Sequence, residues 1–282
     1  MNNIQSDYLN YGYVLEHPEG LHPRGCILFV HGSAPFNLDG RIPIDSDSPY
    51  ARTSFYRDVS KALRAAGWST LRYNKPGVHD DRIDGSVYAT SDYDVLGTQL
   101  KTLWKILPAE HPRIVFAWSE GSLHVRALPM NEIDAVAMLG GIATTIGDII
   151  KAQGGPSPDQ LREELAGKDR CEMLGIDRPA GRLVDELAFE NNWKVFSEDQ
   201  SPPLLVLHGD QDREVPVAQA RVWEERLPSH RVTVVVGRGY DHRFMPLGEY
   251  KPMLVAQEVM AWLDGLFPRL GERGNPSGKG NS

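Results

Sequence analysis

Ser119 stands at the end of a short apolar run, Arg113-Ile114-Val115-Phe116-Ala117-Trp118. Two small residues, Ala117 and Gly121, occupy the positions two before and two after it. A serine in this pattern can sit on a sharp turn at the tip of a strand, where its hydroxyl is exposed as a nucleophile and larger neighbours would collide. A single serine after a strand is more often an ordinary turn residue, so this interpretation depends on partner groups elsewhere in the chain.

A serine hydroxyl becomes an effective nucleophile when a base lies within hydrogen-bonding reach. Among the 9 histidines, His242 is the best candidate, because it follows the apolar run 232–236 in a glycine-containing turn. Asp212, after the apolar run 203–208, is the predicted carboxylate that orients the imidazole. Asp210 is the alternative, although a carboxylate directly after a strand could instead cap the turn. The three groups occur in the order Ser, Asp, His, each after a predicted strand.

The negative charge that develops on a carbonyl oxygen during acyl transfer needs backbone N–H donors. One donor is predicted at Glu120, the residue after the nucleophile. The other is predicted at Ser33, in the His31-Gly32-Ser33-Ala34 segment after the first central strand, with Ala34 as the alternative. Trp118, beside the nucleophile, is predicted to wall the substrate pocket, although plain core packing explains it equally well.

The sequence contains no metal-ligand spacing and no glycine-rich phosphate loop. His79-Asp80-Asp81 is better explained as a solvated loop than as a metal-binding pair. The two cysteines, Cys26 and Cys171, make no disulfide framework, and Cys26 is predicted to be a small core residue. We therefore predict a reaction that needs neither a metal nor a cofactor.

The charge balance argues against nucleic acid as a partner. The chain has 30 Lys and Arg against 38 Asp and Glu, a net charge of −8 spread along its length, whereas phosphate binding needs clustered basic residues. No apolar stretch approaches the roughly 20 residues of a membrane helix, and residues 1–7 show no signal-peptide pattern. These features predict a cytoplasmic protein without a membrane span, acting on a small-molecule acyl substrate. They carry no indication of oligomeric state.

The 282 residues can bury one large core, and apolar strand-like runs alternate along them with segments of helical period. Such alternation is typical of a mostly parallel sheet flanked by helices. The predicted strands are 8–16, 26–30, 68–73, 113–118, 135–142, 203–208 and 232–236. The predicted helices are 55–66, 95–106, one beginning near 121, and 255–266.

Three segments interrupt this alternation. Residues 35–52 and 76–93 are long polar loops, which in a compact domain are usually functional. Residues 144–201 are predicted to form a helical lid over the strand ends. The predicted organisation is therefore a core of residues 1–143 and 202–269, the lid at 144–201, and a flexible tail at 270–282.

Two helices are expected within the lid. The first begins at the capping box Ser157-Pro158-Asp159-Gln160. The second includes Leu183 and ends near Trp193. Phe189 and Trp193 are predicted to reach the pocket and contact the substrate.

Over residues 8–267 the chain resembles the α/β-hydrolase superfamily. Its segments His31-Gly32-Ser33, Leu71-Arg72-Tyr73-Asn74-Lys75-Pro76-Gly77 and Trp118-Ser119-Glu120-Gly121 are similar to those of bacterial esterases and serine-peptidase-like hydrolases. Those proteins typically carry G-H-S-E-G and R-Y-D-K-R-G. Here Ala117-Trp118 replaces Gly-His, and Asn74 and Pro76 replace Asp and Arg, which leaves the predicted catalytic atoms unchanged. The resemblance implies a mostly parallel α/β-hydrolase sheet with flanking helices and a helical lid.

These observations favour a serine hydrolase that cleaves a carboxylic ester or thioester of a small or medium organic acid. In this hypothesis Ser119 attacks the carbonyl, His242 accepts and returns the proton, and Asp212 holds the ring. A peptidase, amidase or acyltransferase of the same fold is the alternative within enzymes. A catalytically inactive protein that binds a small ligand in the same pocket is the alternative outside them.

Overall fold

The computed structural model describes residues 2–6, 9–20, 22–44, 49–173 and 176–268, so the predicted tail at 270–282 lies outside the described residues. An eight-stranded sheet forms its centre, in the order β1-β2-β4-β3-β5-β6-β9-β10. The sheet strands are β1 (Asn2–Ser6), β2 (Leu9–Glu16), β3 (Cys26–Val30), β4 (Ser69–Tyr73), β5 (Arg113–Trp118), β6 (Ala135–Leu139), β9 (Leu204–Gly209) and β10 (Val232–Gly237). A separate hairpin comprises β7 (Arg170–Met173) and β8 (Ile176–Pro179).

The sheet is parallel from β4 to β10, and the two strands at one edge, β1 and β2, run antiparallel to their neighbours. The prediction of a mostly parallel sheet is therefore confirmed. The carboxyl ends of parallel strands meet at one edge, where ligand sites of open α/β sheets are found. Ser119, Asp212 and the segment 31–34 all follow the carboxyl ends of such strands.

Helices cover both faces of the sheet. They are α1 (Pro49–Arg52), α2 (Phe55–Ala65), α3 (Gly85–Ala89), α4 (Tyr93–Trp104), α5 (Gly121–His124), α6 (Ile146–Ala152), α7 (Pro158–Leu165), α8 (Ala180–Glu186), α9 (Ala218–Arg226) and α10 (Pro252–Leu266). Side chains of β3 alternate between the two faces: Ile27 and Phe29 pack in one core layer with α2 and α10, and Leu28 and Val30 in another with α4 and α9. Burial on both faces explains why these strands are continuously apolar rather than alternating.

The helix predicted to begin near residue 121 is only one turn long. The α5 helix is followed by a 3-10 turn at Val125–Ala127, and Leu128 then adopts an extended conformation. The next residue is Pro129, which disfavours the helical conformation at the residue before it. Four further helices were not predicted from the sequence: α1 in the loop 35–52, α3 in the loop 76–93, α6 before the capping box of α7, and α9.

The segment 144–201 has its own small core, in which Ile146, Ile150, Leu161 and Leu183 pack on Leu123 of the main domain. The capping box at the start of α7 is confirmed, because the Ser157 side chain accepts from the backbone of Gln160 and the Gln160 side chain accepts from that of Ser157. The β7–β8 hairpin was not predicted. Whether the segment closes over the site as a lid stays a prediction.

The second helix of this segment is shorter than predicted. The α8 helix ends at Glu186, and a 3-10 turn occupies Asn192–Phe196. The Asn192 amide donates to the carbonyls of Ser122 (3.1 Å) and Ile142 (2.9 Å), which ties this part of the segment to residues that precede it.

Within the described residues, no helix has both the length and the apolar character that crossing a membrane requires.

Candidate active site

Ser119 occupies a strained turn at the carboxyl end of β5. Its φ angle is 55°, in the left-handed region that residues other than glycine rarely adopt. Its N–H donates to the Leu139 carbonyl (2.8 Å), which holds the turn against β6. Gly121 lets the turn approach β3 closely, because a Cβ there would lie 2.6 Å from the carbonyl oxygens of Val30 and His31. This close contact with backbone carbonyls explains why the motif has a small residue at position 121.

The structure brings Asp212, and not Asp210, to His242. Asp212 Oδ2 lies 2.7 Å from His242 Nδ1, and Asp212 Oδ1 accepts from the N–H groups of Glu214 (2.9 Å) and Val215 (2.8 Å). Asp210 instead accepts from the Gly239 N–H (2.7 Å), as a turn-capping carboxylate does. An ionised Asp212 makes Nδ1 the donor, which leaves Nε2 free to act as a base.

A further carboxylate, that of Glu214, lies near the His242 ring. Glu214 Oε2 lies 3.6 Å from Nε2, and the Tyr50 hydroxyl donates to the other oxygen of Glu214. Burial by itself lowers the pKa of His242, but Asp212 and Glu214, with a smaller contribution from Asp241, outweigh it and raise the pKa to about 9. Burial raises the pKa of Asp212, but His242 and His208 lower it well below its usual range.

Ser119 and His242 line the same cavity. Its other walls are Gly32, Ser33, Ala34, Phe36, Tyr50, Trp118 and Glu214. The cavity holds about 10 Å³, room for about one water molecule. Outside it lies a wider vestibule of about 460 Å³ that shares Tyr50, Glu214 and His242 with the inner cavity. Tyr50, Glu214 and His242 therefore line both spaces.

Both roles that the sequence left open for Trp118, pocket wall and core packing, apply to it. It lines the cavity and is 1% exposed, packed among Phe36, Tyr50 and Phe55 with ring centroids 5.0 to 5.5 Å apart. It is a core residue that also lines the pocket.

The structure does not bring Phe189 and Trp193 to this cavity. Phe189 packs against Tyr93, with ring centroids 4.6 Å apart, and lies under the Arg126 guanidinium at 4.3 Å. Trp193 packs at the edge of the core layer that includes α4 and α9. Among the described residues, the lining of the cavity includes none from 144–201. Apolar side chains in an insertion do not distinguish between anchoring it and contacting substrate, which is why the sequence could not separate these roles.

Both candidate donors after β3, Ser33 and Ala34, line the cavity, so the geometry keeps both open. The predicted partner donor, Glu120, has a fully buried side chain. That carboxylate contacts Arg178, with Arg182 Nε at 3.7 Å and Lys75 Nζ at 3.9 Å. Sequence reasoning missed these buried cations, although Lys75 lies in the segment 71–77 that carries the family resemblance.

Glu120, His124 and Glu186 offer ligand atoms within 4.8 Å of one another, the geometry of a possible metal site. Arg178, however, contacts both carboxylates, and His124 Nε2 lies 2.8 Å from Glu186. The guanidiniums of Arg178 and of Arg182, which lies beside Glu120, already balance the two carboxylates, so this group is better described as a buried ion cluster than as a metal centre.

No model of a protein family matches the chain. A monoacylglycerol lipase of Mycolicibacterium smegmatis is 41% identical to it over 267 residues, and the match covers 86% of this chain and 88% of the relative. Est1E from Butyrivibrio proteoclasticus, solved with ferulic acid bound, has a TM-score of 0.65 at 18% identity over 93% of this chain and 98% of its own. Mouse alpha/beta hydrolase domain-containing protein 10 has a TM-score of 0.67 at 16% identity over 94% and 98%.

The solved structures match the fold, and the lipase matches nearly the whole chain at a level of identity that establishes kinship. The prediction of superfamily and reaction type is confirmed. The chain belongs to the α/β-hydrolase superfamily and, within it, to the serine hydrolases that cleave carboxylic esters.

Proposed function

We propose that Ser119, His242 and Asp212 carry this ester hydrolysis through an acyl-enzyme. The observation that carries the proposal is that Ser119, on a strained turn with φ 55°, shares a cavity with a histidine whose Nδ1 lies 2.7 Å from a buried carboxylate. A positioned nucleophile, a base and a group that orients the base are the three parts that nucleophilic catalysis needs.

In the proposed mechanism, Ser119 Oγ attacks the ester carbonyl while His242 Nε2 accepts its proton. Asp212 stabilises the imidazolium that forms. The carbonyl oxygen becomes an oxyanion that accepts from the N–H of Glu120 and from that of Ser33 or Ala34. His242 then protonates the leaving alcohol, and water releases the acid from Ser119 by the same steps in reverse.

We further propose a monoester of a polar alcohol, such as a monoacylglycerol, as the substrate class. The 41% identical relative is a monoacylglycerol lipase, and the match covers 88% of its length. The vestibule supports this choice, because Gln211, Arg213, Glu214 and Asp241 offer hydrogen-bonding groups to a polyol beside His242. Residues 144–201 remain a candidate lid, and a small-molecule acyl ester is the only partner this mechanism requires.

The cytoplasm is the proposed compartment. Cys26 and Cys171 are both free thiols, as expected in reducing surroundings. Nucleic acid is not proposed as a partner, since acidic residues outnumber basic ones by 38 to 30.

The proposal is tested by labelling and by turnover. A fluorophosphonate should add once, on Ser119, as measured by intact-mass and peptide mass spectrometry. Ser119→Ala should lose both the label and ester turnover while it keeps its melting temperature. A label on another serine, or undiminished turnover in the alanine variant, would remove Ser119 from the mechanism.

The substrate class is tested separately with monoacylglycerols, nitrophenyl esters, acyl-thioesters and aminoacyl amides. The highest kcat/KM is expected for a monoacylglycerol. Preference for an amide would favour the peptidase alternative. Ester formation with added alcohol that outpaces hydrolysis would favour the acyltransferase.

A further inference from the structure

Lys75 is a fully buried lysine, 1% exposed, that touches both sides of the proposed oxyanion hole. On one side its ammonium donates to the carbonyl of Gly32 and, at 3.2 Å, to that of Ser33. On the other side it lies 3.9 Å from the Glu120 carboxylate. A buried polar group without hydrogen-bond partners is costly, so the position of the Lys75 nitrogen demands these partners.

The direction of these carbonyls determines the direction of the amides that follow them. In a planar trans peptide the C=O and the next N–H point opposite ways, and the described chain contains no cis peptide bond. Because the Gly32 carbonyl points to Lys75, the Ser33 N–H points away from it. Because the Ser33 carbonyl also points to Lys75, the Ala34 N–H points away as well. Ser33 and Ala34 line the cavity of Ser119.

A second cation, from the segment 144–201, also contacts both the loop after β3 and Glu120. Arg182, fully buried, donates from Nη2 to the Ser33 carbonyl (2.8 Å), and its Nε lies 3.7 Å from Glu120. The Tyr88 hydroxyl donates to the same Ser33 carbonyl at 3.2 Å. The loop after β3 is thus held by groups from three distant parts of the chain.

Glu120 is the common anchor on the side of the nucleophile. It directly follows Ser119, and its N–H is the second proposed oxyanion donor, so the position of its side chain constrains that amide. Arg178 contacts Glu120 and Glu186 together, which connects the turn to α8. The cluster therefore couples the turn of Ser119 to the loop that carries the other donor.

We propose that Lys75 and Arg182 are positioning residues for the oxyanion hole: they hold the carbonyls of Gly32 and Ser33 and the carboxylate of Glu120 so that the backbone N–H groups converge on one point. This inference rests on the proposed function of Ser119. It gives the segment 144–201 a role in catalysis through Arg182 rather than through contact with substrate.

The test compares Lys75→Met with Arg24→Met, a matched loss of a cation that donates to backbone elsewhere. Arg24 bonds the Phe267 carbonyl (2.6 Å) and Asp264 (2.6 Å), and none of its contacts involves the cavity. Without Lys75 the cluster retains two carboxylates, Glu120 and Glu186, and two guanidiniums, Arg178 and Arg182, so its charges balance and the variant is expected to fold. Circular dichroism provides the folded fraction by which each rate is corrected.

Lys75→Met should lower kcat for a nitrophenyl ester by about 10²-fold, the effect of a small misplacement at a reacting centre. KM should change little, because the donors act mainly on the transition state. Affinity for an arylboronic acid should fall in parallel, because its boron bonds Ser119 Oγ while the serine proton passes to His242, which gives a tetrahedral anion. Arg24→Met should lower the melting temperature with kcat and boronate affinity unchanged.

Two milder substitutions, at Tyr88 and Arg182, test the proposal even if Lys75→Met fails to fold. Tyr88→Phe removes one hydroxyl donor to Ser33 and should lower kcat and boronate affinity by a smaller, matching factor. Arg182→Lys should retain more of both than Arg182→Met, because it restores a donor. If kcat in these variants falls no further than in Arg24→Met, or falls while boronate affinity is kept, the positioning role is overturned. An inactive wild type, or labelling away from Ser119, would instead overturn the proposed function itself.

Discussion

At the scale of single residues, the two candidate acids differ in what they contact. Asp212 is buried and contacts the ring of His242, whereas Asp210 accepts from a turn N–H after β10. Only the first contact can set the tautomer of the imidazole. The two carboxylates are two positions apart, so this distinction depends on how the loop bends.

Asp212→Asn should therefore lower kcat by orders of magnitude, about 10⁴-fold in the best-characterised triad, because an amide favours the wrong tautomer of His242. Asp210→Asn is the matched control and should lower kcat far less. Steady-state kinetics on both purified variants, checked for folding, measures the difference. A larger loss in Asp210→Asn would transfer the role to that residue.

The position of Glu214 beside His242 predicts the direction in which kcat/KM depends on pH. Its carboxylate lies 3.6 Å from His242 Nε2 and helps to raise the pKa of His242 to about 9, and only the neutral imidazole can act as base. The kcat/KM of the wild type should rise with pH towards a plateau above about 9. Glu214→Gln removes a negative charge, lowers the pKa of His242 and shifts this rise to lower pH.

The control for this prediction is Glu224→Gln, an exposed glutamate on α9. Its pH–rate profile should match that of the wild type. A profile of Glu214→Gln that does not move, or moves to higher pH, would show that Glu214 does not act on His242.

At the scale of elements, the turn between β5 and α5 depends on Gly121. A methyl group there would collide with two backbone carbonyls of β3 and the residue after it, which cannot move as a flexible side chain can. Gly121→Ala should destabilise the fold by about 1–3 kcal/mol or more, measured by urea unfolding. Gly265→Ala, where a Cβ would meet nothing within 4 Å in α10, should be neutral or stabilising by up to about 1 kcal/mol. Equal stability changes in the two would contradict this account.

The loop 35–52, rather than the insertion, supplies two aromatic residues of the cavity lining, Phe36 and Tyr50. Tyr50 lines both the cavity and the vestibule, so Tyr50→Ala should change the preference among acyl chain lengths by roughly ten- to two-hundred-fold. Phe189→Ala, which loses contacts with Tyr93 and Arg126, should keep the parent's profile. The measurement is kcat/KM across nitrophenyl esters from acetate to palmitate. A shift in Phe189→Ala alone would restore the insertion as the determinant of specificity.

At the scale of the whole molecule, the buried ion cluster joins the main domain to the segment 144–201. Burial raises the pKa of Glu120, but Arg178, Arg182 and Lys75 outweigh it and hold the pKa well below the usual range. A carboxyl whose pKa is depressed in the folded state contributes stability that is present above its ordinary pKa of 4.5 and is lost as the pH falls through the folded value.

The free energy of unfolding should accordingly decline as the pH is lowered below about 4.5, by up to about 1.4 kcal/mol per pH unit for each such carboxylate. Glu120→Gln, less stable at neutral pH, should show a shallower decline because it has no proton to bind there. Urea unfolding of both proteins between neutral and acidic pH measures the slopes. Parallel slopes would mean that Glu120 does not carry this acid sensitivity.

The sequence by itself determined those features that depend on neighbouring residues. The apolar runs predicted the parallel strands, because burial on both faces demands them. The small residues around Ser119 predicted the tight turn, because only they fit it. Ser119, Asp212 and His242 each follow a strand. Because the carboxyl ends of parallel strands meet at one edge of a sheet, this order predicted that the three residues lie at the same edge.

Tertiary structure alone decided which groups meet across long stretches of chain. Arg182 donates to the carbonyl of Ser33 from 149 positions away, and Tyr50 reaches Glu214 across 164. It also turned Phe189 towards Tyr93 and away from the cavity, although an apolar side chain gains the same burial in either place. Local sequence patterns indicate helical or strand periodicity, turns and sites of backbone strain. The packing of whole helices and strands determines which side chains meet, and no local sequence pattern indicates that packing.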